Sequence, residues 1–218
     1  MLFIDITQDG AGIVQNNDPD IDGLLTGNIS TCCVYIFYGE KSFSIVHDTG
    51  QLQIGEISAV ANKCGILKSA FYAINPTGIT KAQSDSHRIR KKRINNLLKL
   101  KKGMKRINIP SGNVICLKTG GVLTQDEDIL AIPANLTNIP HREVRNSINE
   151  LNNLFSAKNS QSLPIDFQFD GNGYTSLPKL LKTAEEMLAI ATLKMQHGDS
   201  DYLAFLEKAK RLGVFAAS

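Results

Sequence analysis

Cys32 and His47, a thiol and an imidazole able to carry nucleophilic acyl transfer, lie fifteen positions apart in the densest β-forming stretch of the chain. The segment CCVYIFY, the dipeptide GE and the segment KSFSIVH form a hairpin, because β-branched and aromatic residues crowd both arms. A two-residue loop with Gly first favours a type II′ turn, and Tyr38-Gly39-Glu40-Lys41 supplies it. In that register residues whose numbers sum to 79 face each other, so Cys32 is expected opposite His47. Side chains so paired sit roughly 4.5–5.5 Å apart at Cβ, close enough for the imidazole to draw the thiol toward the thiolate. A three-residue loop would instead put Cys33 opposite His47 and turn Cys32 to the other face.

The small, turn-rich TGNIST segment before Cys32 suits a nucleophile at the start of a strand, where backbone N–H groups can receive an oxyanion. Cys33 then reads as a small buried hydrophobe, and Cys64 and Cys116 as core residues. The four cysteines form no CxxC pair and no zinc-type spacing with histidine, which points to reduced thiols and no metal. His87, His141 and His197 stand among polar neighbours and read as surface residues. The glycine groups GAG and TGG lack the Lys-Ser/Thr or G-x-x-G continuation of a phosphate loop, so no cofactor is expected.

The run Thr26-Gly27-Asn28-Ile29-Ser30-Thr31-Cys32 resembles the T-x-x-L-S-G-C segment of the Burkholderia lethal factor, and its end resembles the L-S-G-C motif of the cytotoxic necrotising factors. Both are glutamine deamidase toxins. The chain is also similar to the chemotaxis receptor deamidase, which has a Thr six residues before its Cys. The resemblance covers about twenty-five of 218 residues, and Thr31 stands where the toxins have Gly. It implies Cys32 as nucleophile, His47 as general base and Thr26 as the group orienting the imidazole, with Asp48 or Thr49 as alternatives for that last role. The implied activity is deamidation of a protein glutamine, or transglutamination through the same thioester. The implied setting is a bacterial effector or toxin, secreted and delivered into a host or competitor cell.

The elements that must position these residues suggest an α/β (α+β) fold, a central mixed or antiparallel sheet or sandwich with a helical C-terminal part. Residues 2–6 read as a short strand, and the TQDGAG and NNDPDIDG stretches after it as turns where little packs. A helix through Val60 ending near Gly65 should hand over to a strand ending at Asn75-Pro76; further strands are expected at 112–118 and 128–133. Apolar stripes at spacings of three and four predict helices over 140–158 and 177–196, and a last one over 201–212 stopping at Gly213. The division expected is a catalytic core over 1–139 and a helical extension over 140–218.

With 42% apolar, 21% charged and 6% aromatic residues the chain is neither disordered nor fibrous, and no apolar run is long enough to span a bilayer. The start MLFIDITQDG lacks the features of a signal peptide, so a cytoplasmic location is expected. The 81–106 segment, from Lys81 through Arg106, holds eleven Lys and Arg against one acid, Asp85; the remaining 13 basic and 20 acidic residues leave the rest at −7. It is a candidate surface for an acidic or anionic partner, or a solvated helix docking through Ile94, Leu97 and Leu98. It contains no aromatic side chain to stack on bases, which argues against stable nucleic-acid binding. Two other functions compete with deamidation: a cysteine peptidase or other thiol acyl-transfer enzyme, and a non-enzymatic module acting through the basic segment.

Overall fold

The computed structural model describes residues 2–124, 135–137 and 165–175. It is a mixed α/β fold dominated by strands, with two mixed sheets and, among the described residues, two helices. The helices expected at 140–158, 177–196 and 201–212 and the strand at 128–133 lie outside the described residues, as do His141 and His197.

The first sheet contains β1 (Leu2–Asp5), β3 (Gly23–Thr26), β8 (Val114–Leu117), β9 (Val122–Leu123) and β10 (Asn135–Thr137), in the order β10-β1-β3-β8-β9. The second contains β2 (Gly10–Gln15), β4 (Cys33–Gly39), β5 (Ser42–Asp48), β6 (Leu67–Ile74), β7 (Lys105–Asn108) and β11 (Asp166–Phe169), in the order β11-β2-β5-β4-β6-β7. Thus the 140–218 region contributes a strand to the larger sheet, parallel to β2. One core lies between the sheets, where Ile4, Ile6 and Leu24 meet Val34, Ile36, Phe43 and Ile45. A second core lies on the other face of the larger sheet, where Tyr35, Phe37 and Val46 meet the helices. Both arms of the central hairpin are therefore buried on both faces along their whole length, which is why β4 reads as a nearly continuous apolar run; in β5 the buried polar residues are Ser42, Ser44, His47 and Asp48.

Helix α1 (Ile54–Lys63) presents Ile57, Val60, Ala61 and then Cys64 to the second core, the three-and-four spacing of one helix face. It ends as expected at Gly65, whose φ of 81° suits a residue without Cβ. Helix α2 (Lys81–Leu97) starts at Thr80, whose side chain and that of Gln83 form a reciprocal capping box. Its inner face holds His87 and Ile94, both buried. Leu98 packs on the second core as expected, but Leu97 does not dock and is 57% exposed, because it lies one residue further round the helix.

Two expectations about this framework need correction. The TQDGAG stretch, read as a turn where little packs, runs into β2, and Gly10, Ala11 and Gly12 are buried there, whereas NNDPDIDG is turn and bend as expected and only its last residue, Gly23, begins β3. The hairpin register is also different: Val34, not Cys32, faces His47, and Cys33 faces Asp48. The bend falls at Glu40-Lys41, one residue later than Gly39-Glu40, so paired numbers sum to 81. The bend residues are held from outside the hairpin, with Glu40 N–H donating to Ile66 and Lys41 N–H to Cys64. Gly39 serves close approach rather than the turn, since a Cβ there would stand 2.0 Å from the Cys64 carbonyl oxygen. A shift of two residues preserves the face of every side chain, so Cys32 and His47 remain on the same side of the sheet.

Candidate active site

The site is assembled at the end of the larger sheet farthest from the hairpin bend. Here β3 ends at Thr26, β4 begins after Cys32 and β5 ends with His47 and Asp48. Cys32 joins Val34 and Ile36 in the core between the sheets, whereas Cys33 is buried in the second core, on the opposite face. Extending the ladder by one residue places Cys32 across from Thr49, which makes His47 its diagonal neighbour. Such neighbours stand about 7–8 Å apart at Cα and less at Cβ.

The Thr26 hydroxyl oxygen is 2.8 Å from His47 Nδ1 and 2.7 Å from the Ile6 carbonyl oxygen. A carbonyl can only accept, so the single hydroxyl proton goes to Ile6 and the Thr26 oxygen accepts from His47 Nδ1–H. This network assigns the tautomer: the proton sits on Nδ1, and Nε2 carries a bare lone pair. Nε2 is buried and has no hydrogen-bond partner among the described residues. Thr26 thus bonds the imidazole; the alternatives Asp48 and Thr49 are engaged elsewhere. Thr49 N–H and Oγ1 donate to Asp9 Oδ1 at 3.1 and 2.8 Å.

Asp48, fully buried, accepts from both sides of the Arg90 guanidinium at 2.9 and 3.0 Å and from the Gly50 and Leu52 N–H groups. Arg90 also donates to the Leu52 carbonyl at 2.6 Å. One helical turn earlier, His87 lies 2.8 Å through Nε2 from the Thr31 carbonyl, which requires the proton on Nε2. His87 is therefore not the surface residue expected: it is 3% exposed, with Nδ1 unpartnered among the described residues. Helix α2 grips the residue before Cys32 with His87 and the residue after His47 with Arg90. The sequence signal for this inner stripe is the seven-residue spacing of His87 and Ile94, with Arg90 between them.

The 26–32 segment is fixed from three directions. Ile29 is buried, with its N–H donating to Gly112 and its carbonyl accepting from Asn75 Nδ2, and Thr31 is held by His87. Asn28 and Asp9 adopt positive φ, 59° and 53°, which side-chain-bearing residues rarely do outside functional or tightly turned segments.

Electrostatically the resting pair is neutral. Burial, reinforced by the negative Asp9 and Asp48, pushes the Cys32 thiol from an ordinary 9.0 up to about 12, against a smaller opposing effect of the Thr31 hydroxyl. The lowered thiol pKa expected from the imidazole is thus not found: burial and the two carboxylates raise it, and His47 is not among the groups that act on the thiol. Burial also pulls the His47 imidazole from 6.5 down to about 4. Below pH 6.5 the unfolded chain takes up a proton at this residue that the folded chain refuses, so stability falls as pH falls from 6.5 to 4. The loss reaches about 3 kcal/mol at about 1.4 kcal/mol per pH unit. Urea unfolding of the native chain and of His47→Gln across this window should show the variant losing less by that amount; parallel pH profiles would show that the ring is solvated.

Among the described residues no group of three or more His, Cys, Asp or Glu side chains is placed to hold a metal ion. All four cysteines are buried free thiols; Cys64 Sγ lies 3.2 Å from Ser44 Oγ in the helix-side core and Cys116 lies between the sheets. No helix among the described residues is long and apolar enough to cross a membrane. No protein-family model and no curated protein sequence matches the chain.

Proposed function

We propose that the chain is a cysteine-dependent amidohydrolase that deamidates glutamine side chains of a protein substrate. The observation that carries this reading is the Thr26 hydroxyl, which fixes His47 with a proton on Nδ1 and a bare, buried Nε2 on the face it shares with Cys32.

Since thiol and imidazole are both neutral at pH 7, the proton moves as the bond forms. Nε2 takes it from Cys32 while Sγ attacks the glutamine carboxamide carbon. His87 turns the Thr31 carbonyl toward α2; in a trans peptide the next N–H points the opposite way, so Cys32 N–H becomes a donor for the oxyanion. Imidazolium Nε2–H protonates the departing nitrogen, ammonia leaves, and a thioester remains. The same nitrogen then deprotonates a water that attacks the thioester, releasing glutamate and returning the proton to sulfur. An amine in place of water gives transglutamination.

Burial favours this reading over the peptidase. Cys32 is 8% exposed, and a nearly covered thiol is reached more readily by one long uncharged side chain than by a polypeptide backbone threaded past it. Nearby, the outer face of α2 carries exposed Arg88, Lys92 and Arg93, which steers an acidic protein surface toward the site. The resemblance to deamidase toxins makes a protein of another cell the target. The test is incubation with cell-extract proteins followed by peptide mass spectrometry. Glutamines gaining about 1 Da, with ammonia release and no gain with Cys32→Ala, support the proposal; cleaved chains without mass gain would support the peptidase.

A further inference from the structure

At the other end of the larger sheet the loop after α2 folds back beside β6. The register between β6 and β7 begins only at Phe71 and Lys105, so residues 67–70 run alongside the loop rather than a strand. Between them lies a groove of about 280 Å³ whose lining includes Lys68, Lys101, Lys102, Gly103 and Lys105. The four lysines are exposed, and no carboxylate among the described residues pairs with any of them.

The loop that carries Lys101 and Lys102 and leads into Lys105 at the start of β7 is fixed in place. Leu100 N–H donates to the Asn95 carbonyl, Gly103 N–H to the Leu100 carbonyl, and Met104 N–H to Asn95 Oδ1 at 3.0 Å. Met104 is buried, and Lys99 and Gly103 take positive φ of 52° and 64° to make the reversal. Four like charges are therefore held around one concavity, an arrangement that repels itself until an anion enters.

We propose that this groove binds a compact, multiply phosphorylated group. Lysine ammonium groups are flexible point charges suited to clustered phosphate oxygens, whereas no arginine fork or aromatic face lines the groove to select a carboxylate or stack a base. The volume is too small for a folded protein surface and suits a small polyanion. Ile66, the residue before the groove-lining Leu67, is 71% exposed, an apolar side chain that would meet acyl chains if the phosphates belong to a lipid headgroup. The groove lies about 20 Å from Cys32, the length of β4 at ~3.3 Å per residue. It is a separate site, and its test needs no turnover.

Calorimetric titration of the full chain with inorganic tripolyphosphate should show one saturable site. Lys101→Glu/Lys102→Glu and Lys68→Glu should each weaken it at least tenfold. Lys92→Glu/Arg93→Glu, an equal charge change on exposed positions of α2, should leave it within twofold, with circular dichroism confirming that all variants are folded. Sedimentation with phosphatidylcholine vesicles, with and without phosphatidylinositol bisphosphate, separates the sources. Capture that depends on bisphosphate and is weakened by Ile66→Ser identifies a lipid headgroup; tripolyphosphate binding without capture identifies a soluble ligand. Equal weakening by both double variants, or no saturable binding to either probe, overturns the proposal.

Discussion

On the proposed mechanism Cys32→Ser is expected to lower glutamine deamidation by about 10³-fold or more, and His47→Gln by about 10²–10⁴-fold, since each removes a partner of the proposed proton-transfer unit. Serine at position 32 keeps the shape but replaces the thiol by a hydroxyl far harder to ionise, in surroundings that already disfavour negative charge. The double variant should be little worse than the poorer single one, because nucleophile and base act together. Thr26→Val should cost less, about 10–100-fold: the ring stays packed, but the Nδ1 proton loses its acceptor and the tautomer with Nε2 bare is no longer enforced. Cys33→Ser should leave kcat unchanged, because that side chain points into the helix-side core. Steady-state rates on any glutamine peptide identified by mass spectrometry decide the matter, and loss confined to Cys33→Ser would reverse the assignment.

Arg90→Met should destabilise the protein by about 3–5 kcal/mol, the usual cost of leaving one partner of a buried ion pair uncompensated. Asp48 has no exposure and depends on the forked guanidinium for its counter-charge. Met preserves the apolar length of the arginine stem. Asp48→Asn in the same background should restore part of the loss, since the amide oxygen can still accept from Gly50 and Leu52 without carrying a charge. Urea unfolding at fixed salt gives the comparison: midpoints should shift while the slope stays constant. A cost below about 1 kcal/mol for Arg90→Met would mean that the pair behaves like a surface ion pair.

The hairpin was legible because β4 and β5 are buried on both faces, so β-branched and aromatic residues crowd both arms. The side of the sheet followed from strand alternation, but the register did not follow from the turn residues. Gly39 looked like a turn glycine and is instead the point where Cys64 presses against the strand, a contact 25 residues away that no local pattern reports. Strands β2 and β3 were hidden for a related reason: Gly12 and Gly23 are small because Ile6, Phe3 and Cys116 abut them, and glycine read in isolation signals a bend. His87 and Arg90 were obscured by the charged segment around them. Helix periodicity marks an inner stripe, but the residues it meets, Thr31 and Asp48, come from the two different arms of a hairpin at its open end.

The parallel strand β11 sets the timing of biosynthesis. Asp166 pairs with Gly10, so this flank of β2 stays uncovered until residue 166 has left the ribosome. Pairings this distant in sequence form slowly, and a waiting strand edge is a template for association with neighbouring nascent chains. Chaperone occupancy during translation should therefore peak before residue 166 emerges and fall once it can reach β2.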